Sequence, residues 1–83
     1  MPIRVKLLYF GQARDAAGVG EEEFTLPDRA SISVLLKDSS TAHSKIGTMK
    51  GSMQIAVNEE IAKPGQVLED GDVVAFLPPV AGG

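Results

Sequence analysis

The feature that most constrains the fold is a pair of apolar, strand-like segments at opposite ends of an 83-residue chain. Residues 3–10 alternate between two faces, one of which is apolar and consists of Ile3, Val5, Leu7 and Tyr9. Residues 73–77 form a β-branched and aromatic run that is typical of a central strand. No hairpin-length connection joins the two segments, so we expect them to pair in parallel at the centre of one sheet.

The other face of the first segment is expected to point away from the core. It begins with Arg4 and Lys6, which favour contact with water, and continues with Leu8 and Phe10, which do not. Leu8 and Phe10 are therefore expected either to be covered by a neighbouring element or to form part of a docking patch.

Two helical segments are predicted between the terminal strands. The segment from Gly11 to Gly18 is rich in alanine and is expected to form one or two helical turns that end at Gly18. Ser31 is a suitable N-cap for a principal helix that runs to about His43, although its Ser-rich second half is expected to fray early. Residues 44–52 contain two glycines and are expected to form a loop.

Three further strands are predicted from alternation and turn residues. They cover residues 23–26, 53–58 and 61–62, and a turn over residues 68–72 leads into the last strand. Strands arranged around one principal helix indicate an α+β fold. We therefore expect a β-grasp plan, with a mixed sheet of about five strands and one main helix crossing one face.

Composition excludes several classes of function. The absence of cysteine removes disulfides, thiolate metal sites and a cysteine nucleophile together. A net charge of −3 argues against nucleic acid as the main partner, and no apolar run is long enough for a membrane span. The strand-like pattern starts within residues 1–4, which is expected to leave no room for a signal peptide. We therefore expect a cytoplasmic protein. Residues 59–83 carry five acids against one lysine, which is either a surface that steers a basic partner or a solvated face.

The sequence ends Pro78-Pro79-Val80-Ala81-Gly82-Gly83. Two prolines are expected to end the last strand and to keep the next residues extended, which divides the chain into a domain at 1–78 and a tail at 79–83. Residues 78–83, when extended, reach roughly 20 Å, and the small residues at their end fit a narrow channel. We therefore expect the tail to enter another protein's active site. A disordered end is the alternative, and the two prolines make it less attractive.

Three segments resemble the small-subunit family of molybdopterin synthase, a family of ubiquitin-like sulfur carriers. They are residues 9–18, 56–58 and 68–83. The last segment contains an Asp-Gly-Asp turn followed by Phe-Leu-Pro-Pro. The sequence departs from that family at Leu77, where a second aromatic is frequent, and at Val73, where a charged residue is frequent. Both positions lie on the presumed outer face of the last strand, so the contact with a partner is expected to differ in shape.

The resemblance implies a carrier whose reactive group is the Gly83 carboxylate. An E1-like enzyme would adenylate it with ATP and magnesium, and a persulfide donor would convert it to a thiocarboxylate. The large subunit, in a 2:2 heterotetramer, would then use that sulfur on cyclic pyranopterin monophosphate. This chain would bind no cofactor or metal and would supply no catalytic acid or base.

The resemblance also implies that Phe10, Ile61 and Leu77 face the large subunit and the activating enzyme. For Phe10, contact with a partner is favoured over packing within this chain. For Ile61 and Leu77, contact with a partner and packing under the tail or in the core fit equally well. Arg14 is expected to pair with a partner's carboxylate or with an acid of this chain. His43 is expected to be solvated or to cap a helix.

Other functions share the same terminal chemistry. Sulfur delivery to thiazole, to thiolated tRNA or to amino-acid synthesis is the alternative among carriers. A modifier that is joined to lysines and a purely binding β-grasp domain are the alternatives from other classes.

Overall fold

Segments from opposite ends of the chain form the middle of a five-stranded sheet. The structure, a computed structural model, describes residues 1–49 and 54–77. The strands are β1 (Ile3–Tyr9), β2 (Glu21–Leu26), β3 (Gln54–Val57), β4 (Glu60–Ala62) and β5 (Val73–Leu77). The helices are α1 (Gly11–Ala17), α2 (Ile32–Ala42) and α3 (Ser44–Met49).

The strand order in the sheet is β2-β1-β5-β3-β4. β1 and β5 pair in parallel with Tyr9 opposite Phe76, and all other neighbouring strands are antiparallel. The predicted parallel pair at the sheet centre is therefore confirmed. So is the α+β class, with a mixed sheet and one main helix, α2.

The core lies on one side of the sheet only. The inward positions of the two central strands are fully buried, among them Leu7, Tyr9, Val74 and Phe76. They form a single cluster with Ile32 and Leu35 of α2. Strand alternation and the helical spacing of α2 each place one apolar face in this cluster, which is why these segments form the predicted elements.

The predicted loop over residues 44–52 is wrong in its first part, because residues 44–49 form α3. Ile46 of α3 is fully buried in the core, so tertiary packing stabilises a helix whose local sequence is weak. Residues 50–53 lie outside the described residues.

The predicted early fraying of α2 is also wrong, since the helix continues to Ala42. The hydroxyls of Ser40 and Thr41 donate to the carbonyls of Leu36 and Lys37 four residues earlier, at 2.8 and 3.0 Å. These hydroxyls therefore bond along the helix instead of unwinding it.

Among the described residues, no helix is long and apolar enough to cross a lipid bilayer. Residues 78–83, which include the predicted tail, lie outside the described residues, so the boundary between domain and tail stays a prediction.

Candidate docking face and its surroundings

The side of the sheet opposite the helices carries a patch of apolar side chains, here called the apolar face. It consists of Leu8, Phe10, Ala56, Ile61, Val73, Ala75 and Leu77, and it forms an open groove of about 610 Å³. Ile61 is 67% exposed and Phe10 46% exposed, both high values for large apolar side chains. A contiguous apolar surface of this kind is typical of a protein-binding site.

Strand alternation accounts for the outward direction of these side chains. In β1 and β5 the inward residues Tyr9 and Phe76 are buried, so their neighbours Leu8 and Leu77 point to the other side. The structure thus places Leu77 and Ile61 on the apolar face and outside the core cluster. Val73 lies on the same face, as predicted.

Phe10 lies where the chain turns from β1 into α1. It occupies the N-cap position of α1 in an extended conformation, and Gly11 follows with a φ of 52°. A positive φ is readily adopted only by glycine among common residues, so Gly11 allows this sharp turn. The turn leaves the Phe10 ring at the rim of the apolar face.

The charges around the apolar face are partly neutralised. Lys6 lies 3.4 Å from Glu21, and Arg4 lies 3.8 Å from Glu23, both between β1 and β2. Among residues 1–49 and 54–77, no acidic side chain forms an ion pair with Arg14, which is exposed beside Phe10. The predicted alternative in which Arg14 pairs with an acid of its own chain is therefore not seen in the described residues.

The β3–β4 turn borders the other side of the apolar face. Asn58 and Glu59 both have positive φ, 50° and 72°. The Asn58 amide donates to Asp72 Oδ1 at 3.0 Å, and its Oδ1 accepts from the backbone N–H of Val73 at 3.0 Å. These bonds fasten the turn to the start of β5. Sequence reasoning missed these two bonds of Asn58, because Asp72 and Val73 lie 14 and 15 positions away along the chain.

A largely buried polar cluster lies on the core side of the sheet, at the end opposite the β3–β4 turn. Tyr9 hydroxyl is 2.9 Å from Ser39 Oγ and donates to Glu22 Oε1 at 2.9 Å. His43 Nε2 is 2.8 Å from the same Glu22 oxygen. The cluster joins β1, β2 and the end of α2, and burial raises the pKa of Tyr9 to about 12.

The expected solvated role for His43 is wrong, because its side chain is only 19% exposed and lies against Tyr9 and Glu22. Its backbone does occupy the C-cap position of α2, where its N–H donates to the Ser39 carbonyl at 2.8 Å. Nothing in the sequence indicates the contact with Glu22, because the two residues lie 21 positions apart.

Asp70 and Asp72 take part in the turn that precedes β5. Asp70 Oδ1 accepts from the backbone N–H of Arg4 at 2.8 Å, and Asp72 Oδ2 accepts from that of Glu69 at 2.8 Å. Both carboxylates thus bond to backbone amides, as is ordinary for turn aspartates. In the described part of the chain, no group of three or more potential metal ligands is present.

The sheet order, the crossing helix and the one-sided core define a ubiquitin-like β-grasp protein with an open apolar face. A ubiquitin from Caldiarchaeum subterraneum has a TM-score of 0.66 at 12% identity, which shows a shared fold alone. Residues 7–83 match the ThiS family. The chain therefore belongs to the ThiS family.

Relatives of known name cover almost the whole chain. A molybdopterin synthase sulfur carrier subunit of Chlamydomonas reinhardtii is 37% identical over 83 residues, covering 98% of this chain and 100% of the relative. One of Mycobacterium tuberculosis is also 37% identical, over 82 residues, covering 98% and 99%. The predicted resemblance to this family is thus confirmed.

Two solved structures with related names also match this chain. A putative molybdopterin converting factor subunit 1 of Pyrococcus furiosus has a TM-score of 0.86 and 35% identity, covering 94% of this chain and 99% of that one. A Helicobacter pylori complex of subunits 1 and 2 of molybdopterin-converting factor has a TM-score of 0.65 and 27% identity, covering 98% and 100%. The matching Helicobacter pylori chain was thus solved in complex with a second subunit.

Proposed function

We propose that this chain is the sulfur carrier subunit of a molybdopterin synthase, and that it docks on the large subunit through its apolar face. The observation that carries the proposal is the position of Leu77, which is both part of the apolar face and the last residue of β5. A partner that covers the apolar face therefore lies next to the point where the tail begins. The names of the relatives and the two-subunit complex in Helicobacter pylori support this assignment.

The proposed chemistry takes place at the Gly83 carboxylate. A carboxylate is a poor electrophile, so an E1-like enzyme uses ATP and magnesium to form an acyl-adenylate and release pyrophosphate. A persulfide sulfur then attacks the acyl carbon, AMP leaves, and a thiol cleaves the resulting acyl disulfide to give the thiocarboxylate. A chain without cysteine can carry sulfur in this way.

The thiocarboxylate sulfur is then transferred to cyclic pyranopterin monophosphate in the large subunit. The product dithiolene needs two sulfurs, which fits a 2:2 heterotetramer with two carriers. In this scheme the present chain presents a group and the large subunit supplies the catalytic residues. No cofactor is assigned to this chain.

Mass spectrometry tests the reaction. After incubation with ATP, the activating enzyme and a sulfur donor, the chain should gain about 16 Da at Gly83, because sulfur replaces one oxygen. A variant that lacks Gly83, and one with an alanine added after it, should gain nothing and should support no molybdopterin synthesis. Synthesis by either variant would contradict the proposal. Sulfur transfer to a thiazole, tRNA or amino-acid acceptor but not to the pterin would favour another carrier pathway, and conjugates on lysines would favour a modifier.

A binding measurement tests the docking surface. Phe10→Asp places a charge on the apolar face and should weaken binding to the large subunit, with little change in thermal stability since Phe10 is outside the core. Thr25→Asp is the matched control, because Thr25 is exposed on the same side of the sheet in edge strand β2, next to Arg4. Equal affinities for the two variants would remove Phe10 from the interface.

A further inference from the structure

A row of four cross-strand partners runs over the apolar face. Leu8 lies opposite Ala75, Ala75 opposite Ala56, and Ala56 opposite Ile61, so the row crosses β1, β5, β3 and β4. The two middle members carry only a methyl group, and the two outer members are large. The row therefore forms a depression, here called the trough, whose floor is Ala75 and Ala56.

The size of the trough follows from sheet geometry. Leu8 and Ile61 are separated by three strand spacings, about 14 Å in all, and the alanine floor occupies the two strands between them. Leu77 and Val73 follow and precede Ala75 at alternate positions of β5 and close the trough along the strand direction. The opening thus suits one large side chain better than a flat surface or an extended peptide.

Glu59 stands at the rim of this trough in a defined position. Its φ of 72° is one that residues with a Cβ rarely adopt. The hydrogen bonds of Asn58 to Asp72 and Val73 hold the turn in this conformation. Within the described part of the chain Glu59 forms no ion pair, whereas Lys6 and Arg4 across the sheet are paired. A strained backbone that presents an unpaired charge beside an apolar depression is consistent with a binding role.

We propose that the partner inserts one bulky apolar side chain, aromatic or branched aliphatic, into the trough and places a lysine or arginine beside it that pairs with Glu59. The proposal rests on the proposed function, in which the partner is the large synthase subunit. Shape selects the apolar side chain, and the carboxylate carried by the fixed turn at the rim selects the neighbouring cation. Together they set the position and direction in which the partner lies on the sheet.

Filling the trough tests its part of the proposal. Ala75→Leu adds an apolar side chain on the outer face, without charge and without contact with the core, and should lower the affinity for the large subunit at least about tenfold. Thr25→Leu adds the same side chain on the same side of the sheet but outside the trough, and should bind like the unaltered chain. Thermal unfolding of both variants checks that the fold is retained.

The charge is tested by Glu59→Gln, with Glu60→Gln as the control. Glu60 lies opposite Val57, whose side chain points to the core, so Glu60 points away from the apolar face while carrying the same charge. Glu59→Gln should weaken binding several-fold and flatten its dependence on salt, whereas Glu60→Gln should change neither by as much. Contacts measured by isotope-edited NMR from the methyl groups of Ala56 and Ala75 should reach a single apolar side chain of the partner.

The outcomes separate the two proposals. Failure of the unaltered chain to bind the large subunit would overturn the proposed function and this inference together. Normal binding that is unaffected by Ala75→Leu, or methyl contacts that reach only polar groups or backbone, would overturn the inference and leave the proposed function intact. Self-association of the chain that Ala75→Leu abolishes, with binding to the large subunit unchanged, would assign the trough to a second copy and also overturn it.

Discussion

The buried hydroxyl of Tyr9 should make the protein less stable in alkaline solution. Burial is the main reason that its pKa rises from 10.0 to about 12, and the neighbouring Glu22 carboxylate adds to this, while the hydrogen bond with Ser39 opposes it. In the unfolded chain the hydroxyl should titrate near its ordinary value. Between about pH 10 and 12 the unfolded state therefore loses a proton that the native state keeps, so the free energy of unfolding falls as the pH rises.

The size of this effect follows from the difference between the two pKa values. A difference of about two pH units corresponds to roughly 3 kcal/mol once both states are past titration. A domain of this length is expected to have a total stability of about 4–12 kcal/mol. The loss is therefore a large fraction of the whole and should be measurable by denaturant titration.

The assay has two parts. Tyr9 is the only tyrosine and the sequence has no tryptophan, so absorbance near 295 nm reports its ionisation directly, and circular dichroism reports the fold at the same pH. Urea unfolding at intervals from pH 8.5 to 12 gives the free energy. Tyr9→Phe is the control: it should be about 1–2 kcal/mol less stable at neutral pH, because Ser39 and Glu22 lose a partner, and its stability should fall less steeply with pH.

Two results would refute this reasoning. One is ionisation of Tyr9 near pH 10 while circular dichroism still shows the native fold. The other is an equal fall in stability for Tyr9→Phe, which would assign the alkaline effect to other groups such as the lysines.

Substitutions at three further positions test other parts of the structure. Ile46→Ala should cost about 2–4 kcal/mol in urea unfolding, because Ile46 is fully buried, and a cost below about 1 kcal/mol would contradict the placement of α3 in the core. Asn58→Ala should lower the free energy of unfolding by about 1–3 kcal/mol, since it removes two hydrogen bonds and places alanine at a positive φ. Asn58→Gly should lose less, because glycine adopts this φ readily, and equal losses for the two variants would show that backbone conformation is unimportant there. Arg14→Gln should leave the thermal midpoint unchanged but slow association with an acidic partner surface, and a lowered midpoint would reveal an ion pair within the chain.

The strands and their pairing could be predicted because two independent signals agree. Alternation fixes which residues of β1 face the core. The absence of a hairpin-length connection between the terminal strands allows a parallel pair, and the apolar character of both strands favours the centre of the sheet. The same alternation places Leu8, Phe10 and Val73 on the outer side. It does not reveal the alanine floor of the trough, because that depends on the register of Ala56 with Ala75, which residue pattern alone does not determine.

The helix α3 and the polar cluster could not be predicted for a different reason. The segment of α3 has one large apolar residue in the core, Ile46, and a glycine after it, so its helical state depends on contacts with distant parts of the chain. Likewise, Glu22 and His43 become neighbours only when β2 and the end of α2 are packed together. A polar residue far away in sequence gives no local signal of its partner.

At the end of the sheet where β5 ends, adjacent residues point to opposite sides of the sheet. Tyr9 and Phe76 lie opposite each other in the register, with ring centres 5.8 Å apart in the core, and each directly precedes a residue of the apolar face, Phe10 or Leu77. The polar cluster and this ring pair therefore fix the backbone that presents the proposed docking surface. Stability and binding should then be separable one residue at a time: a conservative change at Tyr9 should be seen first in unfolding, and a change at Phe10 first in affinity.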